Sequence, residues 1–301
     1  MKLPISSACR TTNSTTSRPA GLKGKKSSPL AETDRVKYNP LPLTVSSLTD
    51  DFRRIGVRPG MTLIVHSSLS SMGWVCGNAQ SVIMALEAAI GETGTLVMPT
   101  HTSDNSDPAF WSRPPVPSQW WDIIRAETPA FDPELTPTRK MGAIPETFRK
   151  QPGTVRSNHP QVSFAARGPL AARIVSDHSL NYALGDASPL GRLYEIGGFI
   201  LLLGVGYENN TALHLAEFRA NFPGKKVERG GAAVNENGRR IWKILEDFSE
   251  ESDRFPEIGA AFEAAHPHKV TTGRIGLAEA RLMPVRDLVD FATAWLEANR
   301  K

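Results

Sequence analysis

The stretch Met61-Thr-Leu-Ile-Val65, His66-Ser-Ser-Leu-Ser70, Ser71-Met-Gly-Trp-Val-Cys-Gly77, followed by Asn78–Gly94 and Thr95-Leu-Val-Met98, decides the fold class. Met61–Val65 is a short apolar run entered from the Pro59-Gly60 turn, which predicts a buried strand. After the glycine-bearing loop Gly73–Gly77, Asn78 caps a helix with Val82, Ile83, Leu86 and Ile90 on one face, closed by Gly91. Thr95–Met98 is a second buried strand. Strand, loop, helix and strand form a βαβ unit, so the sheet is expected to be largely parallel and flanked by helices.

Upstream, Leu48, Phe52 and Ile55 fall at helical spacing, with Ser47 and Asp50 as the capping pair and Gly56 as the stop. Residues 101–140 break the rhythm with seven prolines, six acids and five aromatics, a long acidic and aromatic insertion of the kind that usually carries function. Ser118–Glu127 supplies one helix within it. Ser188-Pro189 opens another helix, ended by Gly197-Gly198, and Phe199–Val205 is the most apolar strand. Asn237-Gly238 marks a hairpin between Lys226–Val234 and Arg240–Glu246, and Pro284 starts a last helix with Val285, Leu288, Val289, Ala292 and Trp295 inward.

Composition bounds the function. With 40% hydrophobic and 22% charged residues over 301 positions, the chain is ordinary globular material with enough length for a large core. It lacks the run of about 18 to 20 apolar residues that a bilayer span needs. Two cysteines, Cys9 and Cys76, suffice neither for a disulfide framework nor for a zinc site, so an intracellular, cytoplasmic setting is expected, without a metal. The net charge of +4 comes from residues 1–31, which hold six bases and no acid; the remainder carries 29 bases against 31 acids. A nucleic-acid partner is therefore not expected. The organisation predicted is a disordered basic tail over 1–42 and one α/β domain over 43–301. Residues 1–31 also have the composition of an organellar transit peptide.

In parallel sheets, ligands bind beyond the carboxyl ends of strands. Three polar clusters sit there: His66–Ser70, Thr100–Asp107 and Tyr207–Glu217. In the last, His214 and Glu217 share one helical face, where a carboxylate fixes the imidazole tautomer and leaves a general base; an exposed ion pair is the plainer alternative. His66 is either a proton relay and hydrogen-bond donor or a strand-end histidine satisfied by backbone. Ser67, Ser68 and Ser70 are either capping residues or a concave set of donors. Arg156–Pro160 is an anion holder, a pocket wall or a turn, and His101 and His178 read as loop or helix-end residues.

The His-Ser-Ser-Leu-Ser loop at 66–70, Pro-Thr-His-Thr-Ser-Asp at 99–104, Arg-Ser-Asn-His-Pro-Gln-Val-Ser-Phe at 156–164 and Asn-Asn-Thr-Ala-Leu-His-Leu-Ala-Glu at 209–217 resemble, in order, the aminoglycoside 3-N-acetyltransferase family. The likeness covers about residues 43–298 and implies an α/β acyltransferase moving acetyl from acetyl-CoA to an amine of a 2-deoxystreptamine antibiotic. It implies His214 as catalytic histidine and Glu217 as its carboxylate. Thr211, His66, Ser67 and Ser68, with Leu69 and Ser70 beside them, would line the thioester end. Gly73 and Val75 belong to a coenzyme-side loop. A polycationic acceptor calls for acids, with Asp104, Asp107, Asp186 and Glu208 as candidates and Trp111 as an apolar wall. The same transfer to a different amine metabolite, a non-catalytic polycation binder and a thioester hydrolase are the competing readings.

Overall fold

The computed structural model describes residues 41–112, 114–249 and 252–300; the basic tail expected over 1–42 lies, apart from Leu41 and Pro42, outside them. In chain order the elements are α1 (Val45–Arg54), β1 (Thr62–Ser67), α2 (Asn78–Ile90), β2 (Thr95–Pro99), α3 (Trp121–Glu127), α4 (Ala143–Phe148), β3 (Val155–Arg156), β4 (Phe164–Arg167) and α5 (Ala171–Val175). There follow α6 (Pro189–Glu195), β5 (Phe199–Leu203), α7 (Ala212–Arg219), β6 (Val227–Glu236), β7 (Arg239–Phe248), α8 (Phe255–Ala265), β8 (Thr271–Ile275), β9 (Ala278–Pro284) and α9 (Val285–Asn299).

Seven strands form one sheet in the order β3-β4-β2-β1-β5-β9-β8. The centre is parallel, as the βαβ unit requires, with β1 pairing β2 on one side and β5 on the other. The flanking strands β4, β3, β9 and β8 run antiparallel to their neighbours. Strand alternation sends side chains to two separate cores. Ile64, Val97, Ile200 and Leu202 pack on one face against α5, α6, α7, α8 and α9. Leu63, Val65, Leu96, Met98, Leu201 and Leu203 pack on the other, against α1, α2 and α4. This two-sided burial explains why β1, β2 and β5 read as continuous apolar runs rather than alternating ones.

Two helix starts differ from expectation. Helix α1 is capped by Thr44, not Ser47: Ser47 N–H donates to Thr44 Oγ1 (3.2 Å) while Thr44 N–H donates to Ser47 Oγ (2.9 Å), a reciprocal box three residues earlier. Asn78 is the first residue of α2 rather than its cap. The chain enters through Gly77 and Asn78, both at positive φ (79° and 52°), because the Leu43–Val75 bridge and the Asn78 N–H bond to Val75 O turn it sharply there.

The expected hairpin is a sheet of its own. Strands β6 and β7 pair along ten residues each around Asn237-Gly238, both at positive φ, and they pair with no strand of the main sheet. This arm is pinned to the body at defined points. Asn105 exchanges two hydrogen bonds with Ala233, Gln161 donates to Gly231 O, and Tyr182 N–H donates to Glu246 O. The insertion over 101–140 wraps toward it, with helix α3 and short turns at 108–110 and 118–120. Among the described residues no helix is long and apolar enough to cross a membrane.

Candidate functional site

Strand alternation aims the first site residue. Leu63 and Val65 of β1 face the α1–α2 core and Ile64 faces α7, so His66 follows Ile64 toward α7 and Ser67 turns the other way. His66 is buried and its Nε2 is shielded with no protein partner among the described residues. Burial, and then the neighbouring His214, push its pKa down to about 3, so the ring is neutral at ordinary pH.

On α7, His214 Nδ1 lies 2.8 Å from Glu217 Oε2. Glu217 is 4% exposed, which excludes the exposed ion pair of the plainer reading. With Nδ1–H donated to the carboxylate, the lone pair is on Nε2. Phe255 holds the ring edge-on, centroid to centroid 4.9 Å. Thr211 precedes the helix, buried, without a side-chain capping bond, while Asn210 Oδ1 accepts the Ala212 N–H instead.

Of the serine loop, Leu69–Ser71 form a single tight turn beyond β1. Ser68 N–H donates to Leu203 O (2.9 Å), so that amide is spent, and its hydroxyl shares a bond with Ser70 Oγ (3.1 Å). Ser67 Oγ is shielded and without a protein partner among the described residues. Gly204, at φ 68° where β5 ends, lets this turn approach: a Cβ there would overlap Ser71 Oγ. Gly73 also takes a positive φ (97°). Val75 departs from its expected role, since its side chain belongs to the α1–α2 core and leaves only backbone for any ligand.

His101 joins the site although its sequence setting suggested only a loop. It follows β2, which is adjacent to β1, and burial with the charges of His214 and His66 lowers its pKa to about 3. His66 and His101 thus stand at and just past the ends of adjacent strands, both within the field of His214. His101 also lines a cavity of about 360 Å³ with Asp107, Gln161, Glu228, Asp247 and Phe248, between the 101–107 segment and the β6–β7 arm. Here the hairpin register matters: Glu228 pairs directly with Asp247, placing two acids side by side on one face. Counting pairs back from Asn237-Gly238 would have found them.

The expected acids divide. Asp107 lines the cavity, but it also caps the 108–110 turn and meets Arg125 at 2.8 Å. Asp104 and Trp111 line an adjoining open groove of about 600 Å³ that also holds Arg139 and Lys140; Asp104 pairs with Arg139 (2.9 Å), and Trp111 Nε1–H donates to Ser106 Oγ (2.9 Å). Asp186 and Glu208 stand outside both linings. Asp186 is latched to Arg219 at 2.6 Å, and Glu208 is exposed on the 207–209 turn. Arg156 is no anion holder: its guanidinium donates to the carbonyls of Thr100, Pro133 and Thr136 and to the hydroxyls of Thr100 and Ser163. His159 and His178 are buried together, ring centroids 4.7 Å apart, and line neither the cavity nor the groove.

A family model described as aminoglycoside 3-N-acetyltransferase matches residues 64–297. The chain belongs to that family. The YokD protein of Bacillus subtilis, whose crystal structure superposes with a TM-score of 0.86, is 43% identical over 89% of this chain and 98% of that one. Aminoglycoside N(3)-acetyltransferase VII of Streptomyces paromomycinus is 37% identical over 87% of this chain and 94% of its own. The binary complex of AAC-IIIb with CoASH aligns at 30% identity with a TM-score of 0.77, covering 86% of this chain and 98% of that one. The family's fold, an α/β sheet flanked by helices, is the one described above.

Proposed function

We propose that this chain transfers the acetyl group of acetyl-CoA to the 3-amine of a 2-deoxystreptamine aminoglycoside, conferring resistance, with His214 as the general base. The observation that carries the reading is the 2.8 Å His214 Nδ1–Glu217 Oε2 bond near the start of α7, a helix whose Phe218 packs on Phe248 of the acid-walled cavity. An aliphatic amine is mostly ammonium at neutral pH and attacks a thioester only after losing a proton. His214 Nε2 takes that proton, and Glu217 stabilises the imidazolium. The nitrogen bonds to the thioester carbon, the C–S bond breaks as the tetrahedral intermediate collapses, the second proton shed by the nitrogen ends on the departing thiolate, and His214 returns the first to solvent.

Developing oxyanion charge needs fixed donors. Thr211 Oγ1, which caps no helix amide, and whichever of the Ser68 and Ser70 hydroxyls does not donate to the other are the candidate donors, whereas the Ser68 amide is committed to Leu203. Leu69 and the positive-φ backbone at Gly73 and Gly77 shape the coenzyme side, next to the first turn of α2, which no side chain caps. Asp107, Glu228 and Asp247 complement a polycation, with Asp104 and Trp111 in the adjoining groove. One α/β domain over 43–301 carries the activity, in the cytoplasm, where its co-substrate is made and used.

The test is product analysis after incubation with acetyl-CoA and a 2-deoxystreptamine aminoglycoside: one acetyl group on the 3-nitrogen is expected. His214→Ala should lower turnover by about 100- to 10,000-fold while acetyl-CoA still binds. Near-normal turnover in that variant would refute the assignment.

A further inference from the structure

Glu217 has two carboxylate oxygens in different situations. Oε2 takes the His214 ring proton, while Oε1 is shielded and accepts no hydrogen bond among the described residues. Arg300 Nη2 lies 3.5 Å from Oε1, with both side chains largely buried (12% and 5% exposed). Arg300 follows the last turn of α9, its N–H bonded to Leu296 O, and its guanidinium rests on the Phe222 ring at 4.4 Å. A buried carboxylate keeps one orientation only when both oxygens are engaged. A second cation, Lys225, also feels the Glu217 charge, but its Nζ donates to Phe218 O and Ala220 O.

We infer that Arg300 is a positioning residue for the His214–Glu217 pair, holding the carboxylate so that Oε2 keeps the Nδ1 proton and the lone pair stays on Nε2. This rests on the assignment of His214 as base. Release of Oε1 lets the carboxyl rotate, and His214 then samples the tautomer with its proton on Nε2, which cannot accept one from the amine. The orienting partner of a catalytic histidine acts through tautomer in the same way. Substrate contacts are untouched, so the loss falls on turnover rather than on binding.

The experiment compares Arg300→Ala, Arg300→Met and Arg300→Lys with the unaltered protein, using steady-state kinetics and 15N NMR of the His214 imidazole. Arg300→Met keeps the apolar stem on Phe222, so it serves if Arg300→Ala is insoluble. Expected are a drop in kcat of about tenfold or more in both, KM values for acetyl-CoA and acceptor within about twofold, and recovery in Arg300→Lys. Dilute guanidinium should restore part of the Arg300→Ala turnover where equal ionic strength of NaCl does not. The NMR signal should move from the Nδ1–H form toward a mixture, a readout that requires no acceptor and so stands apart from failure of the acetyl-transfer reading. Unchanged kcat with an unchanged tautomer in Arg300→Met would overturn the inference, as would equal rises in both KM values at constant kcat.

Discussion

The side-chain amide of Asn105 and the backbone of Ala233 exchange two hydrogen bonds of 3.0 Å, tying the segment after β2 to strand β6 of the arm. Both partners are buried. Through this clasp the insertion and the arm form the two walls of one cavity. Asn105→Ala strips the buried Ala233 N–H of its side-chain acceptor, while the Ala233 C=O keeps the Phe131 N–H, and should cost about 2 kcal/mol. Chemical denaturation should report that loss, and KM for the acceptor should rise while KM for acetyl-CoA holds. Equal stability would show that the clasp is not structural.

Acid should destabilise the protein well above the carboxylate range. His66 is held near 3 and His178 near 4, both mainly by burial, and His159 is lowered by the same cause. In the unfolded chain each titrates near 6.5. Between those values the unfolded state binds protons that the native state refuses, so the stability contribution is complete above about pH 6.5 and shrinks as pH falls. The loss is about 2 kcal/mol each for His66 and His178 by pH 5, and His159 adds in the same direction. Urea midpoints measured from pH 7.5 to 5 should decline steadily, and a flat profile contradicts the buried neutral rings.

Glu228 and Asp247 face each other across the arm, and like charges in that register weaken a hairpin. Glu228→Gln should therefore stabilise the fold by a few tenths of a kcal/mol. The same change should raise KM for a polycationic acceptor by about twofold to fivefold at low salt, with the difference closing at high ionic strength. A variant that gains stability and keeps its KM would remove Glu228 from the acceptor wall.

Arg156 fixes residues 133 and 136 to the end of β2 through carbonyl acceptors. Lysine cannot reproduce that fork, so Arg156→Lys should cost about 3 kcal/mol and broaden thermal unfolding. Full retention of Tm would mean the segment is held by other contacts.

Much of this was legible from residue pattern. The parallel centre followed from two apolar runs and the helix between them, and His214-x-x-Glu217 announced its own contact because helical spacing is local. What stayed hidden depended on pairing between distant segments. Strand β3 has two residues, and β8 and β9 meet around Gly276 without a strong apolar alternation, so the antiparallel flanks left little trace. His101 looked like a loop residue because its partners in the site come from β1 and α7. Asp186 looked like a ligand because its mate, Arg219, lies 33 positions away.

The β6–β7 arm shares no strand pairing with the seven-stranded sheet, yet it furnishes two of the three carboxylates lining the cavity proposed for the acceptor. Drug preference can therefore diversify by rewriting one peripheral ribbon, leaving the acetylating machinery and its scaffold inherited intact.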